Sequence, residues 1–423
     1  MSAPKDAIDG TVRDLSRFGE GVVATERGVV FAPGVLPGER VSLEGVKKEG
    51  KVLRASRVRV LDATGQRREP LCPLQGRCGG CPLMIASPVV QSAFKQGLLE
   101  RALVGLPGAD GLERGWIGAR HDHAYRRRAR MKWARDTRGR RLLGFGSARS
   151  HAITDVLRCV VLHPVLDAGL GHVRERLLGE LDGEGELHLA IGAGERAVVA
   201  LRSDAPQPPT IYEALRGLVE SGALAGAAIR VAGATIDATF GDPREHRVGH
   251  DNEPFIGTVA GFSQPHDEVN RALVGAVVEL ARPEKRRVLE LFSGSGNLTI
   301  ALARLAKEVE AVESDAAACD ACRANLAARG LDAVVRAADA ESYRPKSDPE
   351  VVVLDPPRTG AAGAIERIVV QRIPEVVYVS CDPPTLRRDL TTLTNAGYRI
   401  TDALALDMFP QTAHVECVVR LTR

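Results

Sequence analysis

Three sets of residues in this chain have types and spacings that can do chemistry. The first centres on Cys381, in Val379-Ser380-Cys381-Asp382-Pro383-Pro384, directly after the apolar run Val376-Val377-Tyr378-Val379. A short β-rich run broken by Asp-Pro-Pro predicts a buried strand that ends in a loop. Strand ends of open α/β sheets are where such folds place reacting groups, so the thiol is a candidate nucleophile. The second set is a glycine loop, Phe292-Ser293-Gly294-Ser295-Gly296-Asn297-Leu298-Thr299. Gly294 and Gly296 let the backbone turn beneath a ligand at the start of a helix. Thr299 stands where a dinucleotide fingerprint has its third glycine, which weakens a nicotinamide reading. Glu313 ends the next predicted strand, where a carboxylate can hold ribose hydroxyls, and Asp339 follows the third, where one can meet an adenine amine. Singly, either acid reads as a helix cap. In this order they favour S-adenosylmethionine. Asp355-Pro356-Pro357-Arg358 ends the fourth strand, and its two prolines stiffen the turn. Arg358 stands where enzymes that methylate exocyclic amines carry an aromatic residue, which points away from that reaction.

The third set is four cysteines. Cys72, Cys78 and Cys81 lie in one loop, with Gly79-Gly80 permitting a sharp backbone path, and Cys159 is remote. Three close thiolates and a distant fourth suit a [4Fe-4S] cluster or tetrahedral zinc, and spacing alone does not choose. Cys319 and Cys322 fall within a helical pattern and read as packing, as does Cys417 on the strand that carries Glu416.

The elements that must position these groups change character along the chain. Residues 1–62 alternate short β-like runs with turns and predict a small barrel with a basic rim. Residues 63–90 and 120–258 predict a β-rich central domain holding the cysteines. Residues 91–119, read as helical, join 259–423, where strands and helices alternate as a doubly wound parallel sheet. Net charge is only +3, but residues 120–150 hold eleven Lys or Arg against Asp122 and Asp136, interleaved with Tyr125, Trp133 and Phe145. Such a segment suits phosphate neutralisation and base stacking, or is a solvated basic face. The chain has neither an apolar leader nor a run long enough to span a bilayer, so a cytoplasmic location with no membrane partner is expected.

The order of motifs closely resembles the RNA uracil-C5 methyltransferase family. The matching residues are Gly261-Phe262-Ser263-Gln264, the glycine loop with Glu313, Asp355-Pro356-Pro357-Arg358, Ser380 to Asp389, and Asp407-Met408-Phe409-Pro410-Gln411-Thr412-Ala413-His414-Val415-Glu416. The resemblance covers about 260–423, and the first barrel looks like the TRAM domain of many members. It implies a class I, Rossmann-like methyltransferase domain behind a TRAM/OB-like barrel and a β-rich domain. It also implies covalent addition of Cys381 to carbon 6 of a uridine, methylation of carbon 5 from S-adenosylmethionine, and proton removal by Glu416. Gln264, Phe292, Asn297, Glu313 and Asp355 match cofactor- or substrate-contacting positions. Cluster-bearing members share the cysteine arrangement, so Cys72, Cys78, Cys81 and Cys159 are expected to hold [4Fe-4S]. Asp382 departs from the usual Asn after the cysteine. The expected product is 5-methyluridine in ribosomal RNA, with transfer RNA second and no obligate protein partner. A non-catalytic iron–sulfur RNA-binding protein is the rival of another class.

Overall fold

A computed structural model describes residues 7–423. The chain divides into two compact units. One comprises residues up to Leu98 with Phe145–Thr154 and Phe409–His414, and the other comprises Leu99–Gly144, Asp155–Met408 and Val415–Arg423.

The first unit opens with seven short strands: β1 (Ile8–Leu15), β2 (Gly21–Thr25), β3 (Gly28–Ala32), β4 (Arg40–Glu44), β5 (Lys47–Glu49), β6 (Val52–Arg54) and β7 (Arg57–Asp62). They form one sheet in the order β5-β6-β3-β2-β1-β4-β7. Val12, Val23, Val30, Val41 and Leu43 pack into a single buried cluster. That is the outcome expected when one side of each pleated strand is apolar and the sheet wraps around it. Helix α1 (Pro88–Leu103) follows the cysteine loop. Its Lys95 is fully buried and donates to the carbonyl of Phe409 at 2.8 Å. Gln91 donates to Gln411 Oε1 at 2.9 Å and accepts from the Gln411 backbone at 2.9 Å. A buried amide that both gives and takes in this way fixes the 409–414 loop.

A second sheet is made of β9 (Arg128–Arg135), β10 (Arg141–Gly146), β11 (Ile153–Asp155), β12 (Gly185–Ile191), β13 (Ala197–Ser203), β14 (Gly226–Val231) and β15 (Ala238–Gly241). Its order is β11-β10-β9-β12-β13-β14-β15. Helices α2 (Pro164–Arg176) and α3 (Pro209–Glu220) accompany it, and β16 (Arg244–Val248) pairs with β17 (Pro254–Thr258).

The α/β part runs α4 (Asp267–Ala281), β18 (Arg287–Leu291), α5 (Thr299–Ala303), β19 (Glu308–Glu313), α6 (Ala316–Ala327), β20 (Val334–Ala337), β21 (Val351–Leu354), α7 (Ala362–Gln371), β22 (Glu375–Ser380), α8 (Pro383–Asn395), β23 (Arg399–Leu406) and β24 (Glu416–Thr422). Together with β8 (Arg114–Ile117), its strands make an eight-stranded sheet ordered β20-β19-β18-β21-β22-β24-β23-β8. The order reverses at β18, and the crevice beside such a switch point is the usual ligand site of open α/β sheets.

Two details differ from the sequence reading. The sheet is mixed rather than wholly parallel, because β24 runs antiparallel to both β22 and β23. Only a short loop separates β23 from β24, too little chain for the crossover that a parallel strand needs. Residues 114–117, inside the segment read as helical, form the edge strand β8, parallel to β23. Among the described residues, no helix is long and apolar enough to cross a membrane.

Candidate active site

The glycine loop leaves β18 through backbone that few side chains tolerate. Phe292 has φ +63°, Gly294 +56° and Gly296 +94°. A non-glycine residue in the left-handed region persists only where its surroundings impose it. At Gly296 a Cβ would stand 2.8 Å from Cys322 Sγ, so α6 packs directly beneath the loop. This is the use of Cys322, whereas Cys319 lies against the Glu313 and Arg336 carbonyls; both are fully buried. Glu313, at the end of β19, accepts from the Gly294 backbone at 3.0 Å and from the Asp315 backbone at 2.8 Å. The carboxylate thereby ties the loop to the next strand; Oε1 also accepts from Ser314 Oγ at 3.2 Å, while Oε2 keeps a lone pair for a further donor. Thr299 is fully buried and hydrogen-bonds the Glu290 carboxyl on β18, a use that a third glycine would not offer.

Asn297 does not stand alone. Its amide exchanges hydrogen bonds with Asn270 of α4, at 2.8 and 2.9 Å in the two directions. Asp339 is exposed and caps its own turn, accepting from Ser342 Oγ at 2.8 Å and the Glu341 backbone at 3.1 Å. The capping use weighed for it is therefore present in the fold.

Strand register explains how Cys381 and Glu416 meet. Ser380, the last residue of β22, pairs with Cys417 of β24. One step outward along the same antiparallel ladder, Cys381 faces Glu416. Asp355 follows β21, whose last residue Leu354 pairs with Tyr378 of β22. Gln264 donates to Asp355 Oδ2 at 3.3 Å. Burial pushes the Cys381 thiol up to about 12, helped by the negative charges of Glu416 and Asp355, while the Arg358 guanidinium pulls the other way. Burial likewise raises Glu416 well above the carboxylate range, with Asp355 adding to the effect and Arg358 opposing it. Asp355 rises to about 6 and Glu290 to about 8, both chiefly through burial.

Asp382 caps α8, accepting from the Thr385 backbone at 3.0 Å and Thr385 Oγ1 at 2.7 Å. An Asn side chain would offer the same acceptor, so the departure leaves the turn intact. Asp389, two turns along α8, was not singled out from sequence. It is almost fully buried and accepts from Tyr378 Oη at 2.6 Å and the Ala361 backbone at 3.0 Å. These bonds fasten the loop that follows Arg358 onto α8 and β22. Gly360 in that loop has φ +81°, and a Cβ there would lie 2.3 Å from Thr385.

Among the described residues, six buried side-chain atoms have no hydrogen-bond partner, and four of them belong to Gln264, Glu290, Ser293 and Glu416. Unsatisfied buried polar atoms are costly and rare, and these four, from β18, the loop after it, the loop before α4 and the start of β24, are candidates for answering a bound ligand. Phe262, beside Gln264, is 69% exposed and gives this region an open aromatic surface.

The remaining expectations fare differently. Cys72, Cys78, Cys81 and Cys159 are all partly exposed thiols, unlike the three buried cysteines. Cys78 and Gly79 pair with Ser147 and Gly146, which holds the cysteine loop against the 145–154 segment. Among the described residues, no three His, Cys, Asp or Glu side chains are gathered as a metal-binding group. The basic segment is reassigned. Tyr125 and Trp133 are buried, Tyr125 stacked on His266 at 4.9 Å, so neither is open to a base. Strand β9 alternates, turning Ala129, Met131 and Trp133 inward. Arg127, Arg128, Arg130, Arg140 and Arg141 pair with carboxylates of the fold.

Comparison with known proteins places this geometry. The family described as tRNA (Uracil-5-)-methyltransferase matches residues 254–344 and 342–423. A Klebsiella pneumoniae protein named 23S rRNA (uracil(1939)-C(5))-methyltransferase RlmD is 35% identical, over 99% of this chain and 96% of its own. Its namesake from Pectobacterium atrosepticum is 33% identical, over 98% and 93%. The solved structure of Pyrococcus abyssi tRNA (uracil-54, C5)-methyltransferase with S-adenosyl-L-homocysteine superposes with a TM-score of 0.76 at 24% identity, covering 98% of this chain and 100% of that one. That superposition speaks for the fold.

Proposed function

The chain belongs to the RNA uracil-C5 methyltransferase family, and on that premise we propose that it methylates carbon 5 of a uridine in 23S ribosomal RNA. Relatives bearing that name match nearly the whole chain, the first unit included. The observation that carries the chemistry is the facing of Cys381 and Glu416 across the β22–β24 ladder, beside Asp355 and Arg358.

S-adenosylmethionine, when bound, supplies an electrophilic methyl group on a sulfonium. Gly294, Gly296 and Glu313 would hold its nucleoside part, with Phe292 and Asp339 flanking, while Glu290, Ser293, Gln264 and Asp355 offer unsatisfied or poised polar atoms near its other end. Asn297 would serve by bracing the loop through Asn270. Carbon 5 of uracil is a weak nucleophile, and addition of the Cys381 sulfur to carbon 6 makes it enolate-like. A thiolate at Cys381 and a carboxylate at Glu416 repel one another in a buried site. Thiolate formation is therefore favoured while Glu416 is neutral, with Arg358 supplying the compensating charge. Once the sulfur is bonded to carbon 6 it is uncharged, and the repulsion that kept Glu416 protonated falls. Glu416 can then release its proton to solvent and, as a carboxylate, take the carbon 5 proton, so that the electron pair of that C–H bond expels Cys381 as a thiolate. One site thus uses the two groups in turn.

The test is transfer of labelled methyl groups from S-adenosylmethionine to unmodified ribosomal and transfer RNA, with mapping of the modified base. Methylated uridine in 23S RNA is expected. Label in the transfer RNA pool alone would move the substrate, and label on no RNA would end the reading.

For Cys72, Cys78, Cys81 and Cys159 we propose a [4Fe-4S] cluster. The support is the donor set: four thiols kept out of the core, three of them on a glycine-containing loop. Anaerobically purified protein is expected to be brown with about four irons per chain. Colourless protein with stoichiometric zinc would overturn this.

A further inference from the structure

Between β17 and α4, residues 259–266 form neither helix nor strand, so their backbone groups need partners from elsewhere in the fold. Three arginines supply many of them. Arg128, at the start of β9, has a side chain only 14% exposed. Its guanidinium donates to Ser263 Oγ at 2.9 Å, to the Val259 carbonyl at 3.3 Å and to the Gly261 carbonyl. The Ser263 hydroxyl donates onward to the buried Glu245 carboxylate, 2.7 Å from Oε2, and Arg128 lies 3.7 Å from that same oxygen. Arg247 of β16, also buried, donates to the Gln264 carbonyl at 3.2 Å and to Asp267 Oδ1 at 2.9 Å. Arg127 meets Asp267 Oδ2 at 2.9 Å, and its backbone N–H donates to the Pro265 carbonyl at 3.0 Å. The His266 ring donates through Nε2 to the His121 carbonyl at 3.1 Å.

This clamp surrounds Gln264. The Gln264 amide nitrogen donates to Asp355, yet its Oε1 is buried without a partner among the described residues. Buried ion pairs seldom repay their desolvation, and apolar packing would join these segments as stably. Planar guanidinium forks do what apolar packing does not, because they fix carbonyl oxygens in direction as well as distance. We propose that Arg128 is a positioning residue: it fixes the 259–263 backbone and thereby aims the Gln264 side chain at Asp355 and at the group that Oε1 answers. Arg247 completes the hold from the other side, at the Gln264 carbonyl. What Gln264 serves rests on the methyltransferase reading, whereas the clamp itself does not.

The test uses full-length protein. Arg128→Lys keeps a charge beside Glu245 and loses the planar fork. Amide exchange followed by mass spectrometry should quicken about tenfold in peptides spanning 259–266, the scale of one or two lost charge-assisted bonds, and stay unchanged in β18 to β22. In labelled-methyl assays, kcat per folded molecule should fall roughly 10–100-fold, as for other small misplacements of a reacting site. Gln264→Ala should also lower kcat, and Arg128→Lys added to it should cost little more, because the two act as one unit. Ser263→Ala, which cuts one link and leaves the guanidinium, should shift exchange and kcat in the same directions by less, and it decides the matter should Arg128→Lys fail to fold. Exchange unchanged at 259–266, or raised throughout the protein, overturns the clamp. A full additional loss from Arg128→Lys in the Gln264→Ala background overturns positioning through Gln264. Absence of methyl transfer by the unaltered protein would end the methyltransferase reading, with the exchange result still deciding the clamp.

Discussion

The carboxyl groups of this protein fall into two populations. At the strand ends, Glu290, Asp355 and Glu416 are buried with few partners, and burial raises all three. Elsewhere in the same unit, Asp251 accepts from Arg329 at 2.7 Å and Arg304 at 2.6 Å. Asp242 accepts from Arg244 and contacts His246. Hydrogen bonds from these arginines hold both well below the ordinary carboxylate range. The side-chain chemistry is the same and the shift is opposite. A carboxylate that answers a guanidinium is finished as a structural joint, whereas one buried without an answer has capacity left for a substrate, a proton or a cofactor.

The sharpest break of this contrast is at the strand ends. Cys381→Ala is expected to abolish both methyl transfer and any covalent RNA adduct, read by labelled-methyl incorporation and by a retarded band on a denaturing gel. Retained methylation would dissolve the assignment of the site. Glu416→Gln keeps the shape and removes the base. Turnover should fall about 10²–10⁴-fold while the adduct accumulates, because addition precedes proton removal. The variant should also fold at least as stably, since it removes a raised buried acid.

On the paired side the outcome reverses. Asp251→Asn should cost about 2–3 kcal/mol of stability, seen as a lower denaturant midpoint, with kcat per folded molecule unchanged. A selective loss of kcat would mean that the pair serves the site.

The smallest effect is in pH. A carboxyl whose folded value is raised binds protons in the native state that the unfolded chain has released. Its contribution to stability is therefore greatest at acid pH and declines as pH rises. For Glu290 that decline runs from the ordinary carboxylate range up to about 8, and for Asp355 up to about 6. The melting temperature of ligand-free protein should fall across this window, and Glu290→Gln should flatten its upper half. Asp251 and Asp242 act with the opposite sign, losing their contribution only in strong acid.

The same contrast bears on the two readings of the basic segment. The 120–150 segment is rich in charge and aromatics, yet strand alternation turned Trp133 inward and carboxylates claimed most of its arginines. Outside that segment, Phe18 and Phe262 are left open to solvent. Composition records which groups exist, and pairing decides which remain available.

Sequence by itself determined the chemistry-bearing positions whose signals are local. Cys381 before Asp-Pro-Pro, the Gly294–Gly296 turn and the cysteine loop each follow from neighbouring residues that constrain one stretch of backbone. It also determined the strand–helix alternation, because apolar periodicity is a local property. Tertiary structure alone decided that β24 returns antiparallel and sets Glu416 opposite Cys381, since register depends on pairing between distant strands. It alone decided that Asn297 braces Asn270 and that Asp389 fastens the loop after Arg358. It also left the polar atoms of Gln264, Glu290, Ser293 and Glu416 buried without answer. Burial and partnership are properties of the packed chain, and they distinguish a reactive carboxylate from a structural one.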